Sequence, residues 1–484
     1  MKPLQKFIAQ YSHFLSGRAF VLLIGLVSFP ILTRMLTVEQ YGIMALVTTT
    51  MFFVVALAKA GLSEGIIRFY KDYSDEEESR TMFVSTVMVR GLIFSVLVAL
   101  IYIVGFYFLS DVLEISEQYY LCFMIMVIYL LVRPLNISVQ NLLRVNDKTI
   151  FFNVVTIIGK LLAVGGAIFL LLYIIGNFYG YFVGLVIAEL IVSIILFSWF
   201  FKKYRINLSL ASWPLAAKLA KFGIPLLFTE LSYLLLSYAD RFMIMAYQGE
   251  EAVGLYSVGY SLASYVSDML MFSLMYAVVP IYVALYRQQG REATEDFLNK
   301  CLHYVMLAVI PIAVGYYVIS YNLFVVLASE KYAVAADFSP IILLGGLILG
   351  VNSILNAGLY LKKKTVMILL IMLSAVVINI LLNIYLIPLY GPSGAAYATL
   401  VSCVVVVLLT IIASYRYITV TIQPLSLIYY LSLSGLMFVI ITQISLQILW
   451  VDMLAKVVVA GAVIALGVLL KERELRGKLK DRFS

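Results

Sequence analysis

From Val366 to Pro388 the chain reads VMILLIMLSAVVINILLNIYLIP, twenty-three positions without a charge, entered from Lys362-Lys363-Lys364 and left through Gly391-Pro392. A helix of that length spans about 35 Å at 1.5 Å per residue, enough to cross the hydrocarbon core of a bilayer. Lipid leaves no other partner for the backbone, so an uncharged run of this length reads as a transmembrane helix.

Such runs recur along the chain. They lie near 14–36, 41–62, 82–108, 119–140, 151–175, 180–201, 222–246, 254–285, 302–326, 338–361, 366–388, 393–414, 425–446 and 454–470. Of 484 residues 63% are hydrophobic and 12% charged, with a mean hydropathy of +1.03. A soluble domain carries roughly 25% charged residues. This composition excludes both a water-soluble globule and a disordered chain. The expectation is an all-α integral membrane protein of about fourteen spans, or twelve if short spans fail.

Lysine and arginine set the orientation. Alternate loops, starting with the amino terminus, hold 25 of the 34 basic residues; the others carry acids such as Glu39, Glu117, Glu250, Glu330 and Asp452. Both termini are therefore expected in the cytoplasm, the basic tail Lys471–Arg482 included. The net charge of +8 is read as topology and not as a nucleic-acid footprint. Cys122, Cys301 and Cys403 stand far apart in apolar runs, without metal-ligand spacing. His13 and His303 open apolar runs and read as interfacial.

An internal repeat divides the chain. Glu39-Gln40-Tyr41-Gly42-Ile43 matches Glu251-Ala252-Val253-Gly254-Leu255, with the glycines 212 apart; Lys148-Thr149-Ile150 matches Lys364-Thr365-Val366 at 216; Gly180 matches Gly394 at 214. A six-helix unit repeated in parallel gives two lobes related about the membrane normal, with a cleft between them suited to alternating access. The expected organisation is a lobe over 1–205, a second over 206–420, two appended helices over 421–470 and a basic tail over 471–484.

Charges inside apolar spans are costly and mark cavities or ion pairs. The first lobe holds Arg18, Lys59, Arg90, Arg133 and Lys160. The last three sit about 10–14 Å in, at 1.5 Å per residue. Lys160 shares a helical face with Asn153 and Thr156. Acids gather at the lobe junction: Glu189, Glu230 with Tyr233, Ser237 and Asp240 on one face, and Asp268 with Ser257, Ser261 and Ser264 on another. Several cations about one cavity suit a phosphate-bearing substrate. Glu189, Glu230, Asp240, Arg241 and Asp268 are candidates for ion coupling or gating. The alternative is interhelical pairing, for example Arg241 with Asp240 or Glu230, which holds the bundle together. No nucleotide-binding loop, zinc-protease motif or nucleophile elbow is present. The outer loops near 109–118 and 327–337 hold no acid, base and nucleophile set. The chain is expected to be no enzyme and to use no cofactor, with coupling to a proton or sodium gradient as one route to driven transport.

Four stretches carry a resemblance to a known family: Phe29-Pro30-Ile31-Leu32-Thr33-Arg34-Met35-Leu36-Thr37-Val38-Glu39-Gln40-Tyr41-Gly42; Lys221-Phe222-Gly223-Ile224-Pro225-Leu226 with Asp240-Arg241-Phe242; Val253-Gly254-Leu255-Tyr256-Ser257-Val258; and Tyr390-Gly391-Pro392-Ser393-Gly394-Ala395-Ala396-Tyr397-Ala398-Thr399. Together the chain resembles the polysaccharide exporter and O-antigen flippase family of the multidrug/oligosaccharidyl-lipid/polysaccharide (MOP) exporter superfamily. The resemblance implies a V-shaped pair of six-helix lobes with two extra helices. It implies flipping of an undecaprenyl-diphosphate-linked oligosaccharide, with membrane lipids and a polysaccharide polymerase as further partners. Basic cavity residues for the diphosphate would then be Arg18, Lys59, Arg90, Arg133 and Lys160. An ion-coupled drug or metabolite exporter of the same superfamily is the alternative.

Overall fold

The structure, a computed structural model, describes residues 20–112, 115–175, 178–421 and 423–471. The described residues are helical throughout, with short turns between helices. In chain order the helices are α1 Phe20–Met35, α2 Val38–Ala58, α3 Leu62–Phe69, α4 Glu77–Val112, α5 Tyr120–Val145, α6 Thr149–Phe169 and α7 Tyr179–Lys203. They continue as α8 Trp213–Tyr238, α9 Asp240–Leu327, α10 Ser339–Leu355, α11 Ala357–Leu361, α12 Thr365–Tyr390, α13 Pro392–Ser414, α14 Pro424–Thr442 and α15 Leu449–Lys471. Eleven described helical stretches are long and apolar enough to cross a membrane, or twelve if the bent pair Glu330–Asp337 and Ser339–Leu355 counts as one span.

Local signals place the ends. Thr37 caps α2 through a reciprocal pair with Gln40, its hydroxyl accepting from the Gln40 N–H and its own N–H donating to the Gln40 side chain. Ser212 caps α8, and a proline near the first turn opens α8, α10, α13 and α14. The main difference from the expected spans is α9, whose 88 residues merge three expected segments. A straight helix of that length would reach about 130 Å, several bilayer thicknesses. Gly249 (φ 80°) and Gly290 (φ 84°) interrupt it in the left-handed region, where a side chain is disfavoured and the chain leaves the helix axis. A second difference is a break at Ala239, which separates Asp240 and Arg241 from the helix that carries Glu230.

The chain packs as two compact units, Met1–Gly254 and Leu255–Ser484. In the first, a core including Ile66, Phe83, Val87, Leu142, Leu196 and Phe200 joins α3, α4, α5 and α7. A polar lock closes its rim: the hydroxyls of Tyr70 and Tyr204 lie 2.7 Å apart, and the Asn146 amide donates to Tyr204 at 2.9 Å. Burial, with the hydrogen bond from Tyr70, holds the Tyr204 hydroxyl well above the usual tyrosine range. The outer faces stay apolar and uncovered. In the span formed by α6 and the π-turn after it, only 11% of the most apolar window lies inside the protein, a pattern that only lipid satisfies. The chain is a multi-pass membrane protein.

The repeat is visible in backbone detail. Asp147 (φ 58°) and Lys363 (φ 55°), 216 positions apart, are both left-handed. Each precedes a lysine whose N–H closes the same turn: Lys148 to the Leu143 carbonyl at 2.9 Å, Lys364 to the Leu359 carbonyl at 2.8 Å. Gly180 packs on the Leu170 carbonyl, and Gly394 packs on the carbonyl of Leu386. A side chain at either glycine would collide with the end of the preceding helix.

Candidate functional site

Charges buried in the first unit fall into four groups. The first joins α5, α6 and α7. Pro134 removes one backbone donor from α5, and the Ser138 hydroxyl donates to the Pro134 carbonyl at 3.1 Å. On either side of this proline stand Arg133 and Asn136. Glu189, from α7, accepts from Asn136 Nδ2 at 2.7 Å and from Arg133 Nη1 at 3.2 Å. Ser193, one turn on, donates to Asn136 Oδ1 at 3.0 Å and fixes that amide in turn. The Glu189 side chain is 10% exposed and that of Arg133 31%, so the carboxylate is enclosed while the guanidinium keeps a face open. Lys160, half-buried on α6, feels the charge of Arg133 and makes no hydrogen bond or ion pair among the described residues. Asn153 and Thr156 on its face are half-buried too. Of the two cations only Arg133 is paired with the carboxylate, which leaves a surplus of one positive charge in an apolar setting.

The second group sits where α2 turns into α3. Ala60 (φ 48°) and Gly61 (φ 71°) make that turn. Gly61 lies against Gly223 of α8, with no room for a Cβ on either. The motif around Gly223 thereby brings α8 close, and two turns further on Glu230 meets Lys59 at 2.6 Å. Lys59 also donates to Glu64 at 3.3 Å. Its side chain is 9% exposed, against 40% for Glu230.

The third group holds the α7–α8 connection. Arg90 lies with its guanidinium carbon 4.0 Å from the centre of the Trp213 ring and donates to the Ala211 carbonyl at 2.6 Å. Its Nε is buried without a partner. Arg18 lies outside the described residues. The structure therefore brings Arg133, Lys160 and Glu189 together in one cluster, Lys59 and Glu230 in another, and seats Arg90 against Trp213.

Asp240 and Arg241, the fourth group, pair with each other at 3.3 Å, and Arg241 donates to the Ser237 carbonyl at 3.0 Å. Both are almost fully buried. In the second unit Asp268 is half-buried one turn after Ser264, while the Ser261 hydroxyl donates to the Ser257 carbonyl. Glu64, Asn136 and Ser193 were not among the residues picked out in the sequence. The spacing of Arg133 to Asn136 and of Glu189 to Ser193, one helical turn in each case, is the signal that would have found the latter two. No group of three histidine, cysteine or acidic residues with metal-holding geometry occurs among the described residues.

A polytopic helical bundle with ionisable side chains inside its spans has the architecture of a membrane transporter. The fold agrees with those of solved flippases and transporters. The lipid II flippase MurJ in an inward closed conformation matches with a TM-score of 0.79 at 16% identity, covering 96% of this chain and 99% of that one. An inward-facing multidrug resistance MATE family transporter of the MOP superfamily matches with a TM-score of 0.65 at 15% identity, covering 84% and 98%. The MATE multidrug transporter DinF-BH matches with a TM-score of 0.60 at 16% identity, covering 86% and 96%. The polysaccharide biosynthesis protein family matches residues 11–286, more than half of the chain, and the chain belongs to that family. The MatE family matches residues 225–385. No functionally curated protein matches the sequence.

Proposed function

We propose that the protein is a flippase for a lipid-linked oligosaccharide, carrying an undecaprenyl-diphosphate-linked surface-polysaccharide unit, such as an O-antigen repeat, from the cytoplasmic to the outer leaflet of the plasma membrane. The observation that carries the reading is Lys160: a half-buried ammonium inside a span, without an acceptor, beside an arginine already paired with Glu189. A diphosphate supplies the missing negative charge. Arg133 turns its open face to the head group, Glu189 holds the guanidinium in place between cycles, and Lys59 acts with Glu230 as a releasable pair. Family membership and the likeness to MurJ support the substrate class. In this reading both termini are cytoplasmic and the lobes 1–205 and 206–420 alternate access. Glu189, Glu230 or Asp268 couples to a proton or sodium gradient, and the prenyl tail stays in lipid.

The test is reconstitution in liposomes with a fluorescent undecaprenyl-diphosphate oligosaccharide, following exposure of the label to an external quencher. Protein-dependent exchange that falls in Lys160→Ala upholds the flippase and the site. Exchange untouched by that change keeps the flippase and removes the site.

The match to the MatE family over residues 225–385 favours a second reading, export of a drug or metabolite against an ion gradient. Gradient-driven movement of a cationic dye, with no exchange of the lipid, would select it.

A further inference from the structure

Glu189 is held by two donors of unequal kind. Both reach the same oxygen, Oε1: Asn136 Nδ2 at 2.7 Å and Arg133 Nη1 at 3.2 Å, with Arg133 also 3.4 Å from Oε2. A charge-assisted bond is ordinarily the shorter one, about 2.7–2.9 Å for a cation on a carboxylate. Here the order is reversed. The neutral amide holds the carboxylate closely and is wholly buried, whereas the guanidinium stands off and keeps 31% exposure.

The amide is itself fixed. Its Nδ2 also lies 3.4 Å from the Glu189 carbonyl, and the Ser193 hydroxyl donates to its Oδ1 at 3.0 Å. Glu189 and Ser193 stand one turn apart on α7. Amide, hydroxyl and carboxylate therefore form a unit that ties α5 to α7 without using Arg133. The Lys59–Glu230 pair shows what this unit is for. Glu230 is 40% exposed, so water takes over when Lys59 leaves it. Glu189 is 10% exposed, and water is largely shut out. An enclosed carboxylate that loses its cation keeps its charge only where neutral donors remain on it. Asn136 is such a donor, and Ser193 keeps its Nδ2 turned towards Glu189.

We propose that Asn136 is a positioning residue of the head-group site: it retains Glu189 in place as a carboxylate while Arg133 turns to the diphosphate, and so sets how readily the substrate takes the arginine from its partner. Ser193 supports this role by orienting the amide. The inference rests on the flippase reading above. It adds that the strength of substrate capture depends on a neutral side chain that is sealed away from the substrate.

The experiment is the same liposome exchange run over a series of substrate densities, which separates the half-saturating density from the maximal rate. Asn136→Leu keeps the branched shape and removes the donor. Its half-saturating density is expected to rise about tenfold, the loss of one hydrogen bond to a charged group, with a maximal rate within about twofold of the parent. Ser193→Ala only frees the amide to turn, and a smaller rise of the same kind is expected. If Asn136→Leu does not fold, Ser193→Ala carries the test. In a Glu189→Gln background there is no charge to retain, so either substitution should then leave the half-saturating density where that background puts it. A purely structural role would give the same loss in both backgrounds. An unshifted half-saturating density, or an equal shift with and without Glu189→Gln, overturns the proposal and leaves the flippase standing. No exchange by the parent protein overturns the flippase reading and this role with it.

Discussion

Gly42 and Gly254 pack backbone to backbone: a Cβ on Gly42 would fall on the Glu250 carbonyl and the Gly254 N–H, and a Cβ on Gly254 would fall on the Val38 carbonyl. The two residues are equivalents in the internal repeat, so the same short motif supplies both halves of one helix crossing. Gly42→Val is expected to destabilise the first unit by about 3 kcal/mol, since overpacked backbone has no rotamer to relax into. Gly105→Ala, at a position with open space, is expected to leave stability unchanged or raise it slightly. Unfolding midpoints of the two variants decide the matter; equal behaviour would refute the close packing.

The Arg133–Glu189 pair makes a second prediction. Glu189→Gln leaves a guanidinium facing another cation, Lys160, without its carboxylate. Because Arg133 keeps 31% exposure, the expected loss is about 1–2 kcal/mol and not the 3–5 of a sealed pair. Replacing both residues by methionine should recover part of that loss. A double variant less stable than the sum of the singles would count against pairing as the cause.

Lys59 and Glu230 join α2 to α8 with Glu230 40% exposed. Solvent screens such a bridge, and a double-mutant cycle in the unfolding midpoint should return about 0.5–1 kcal/mol. If the pair is released during the transport cycle, Glu230→Gln should change the exchange rate far more than the stability. A coupling of several kcal/mol would mean a permanent clamp instead.

Lys160→Met removes a half-buried ammonium that has no acceptor. The expected outcome is a protein as stable as the parent or more so by up to about 1 kcal/mol, yet unable to exchange the lipid-linked substrate. Stability and transport, measured on one preparation, move in opposite directions. A fall in both would mark Lys160 as a structural residue.

Asp452 ties down the start of α15. Its carboxylate accepts from Asn322 Nδ2 at 2.6 Å, Lys456 Nζ at 2.7 Å and the Leu446 N–H at 2.9 Å. Asp452→Ala leaves Lys456 without its partner and should loosen this anchor by roughly 2–3 kcal/mol. Hydrogen exchange over 443–452 should rise while the first unit is unaffected. Unchanged protection there would show that helix packing alone holds α15.

Much of this architecture was written in local pattern. Most helix ends from α2 to α15 fall within several residues of the apolar runs, apart from α3, both ends of α8 and the opening of α9, because a bilayer demands about twenty apolar residues per crossing and the capping residues sit beside them. The repeat was legible because Gly180, Gly394 and the Lys-Thr corners answer backbone geometry, which few residue types can serve. The merging of expected spans in α9 was not legible, since the polar stretches around Gly249 and Gly290 read as loops between apolar runs, and only the folded backbone carries helix up to each glycine from both sides.

The sequence alone determined that the chain crosses a membrane many times, that its halves repeat, and which spans carry charge; composition and periodicity suffice for each. Only the tertiary structure decided which charges are answered. Arg133 and Lys160 look alike in one dimension, yet Glu189, 56 residues from Arg133, answers one and leaves the other open. Arg90 was indistinguishable from either until α8 placed Trp213 against it. The reason is physical: the cost of a charge inside a membrane depends on what lies within about 4 Å of it, and packing of distant helices sets that distance.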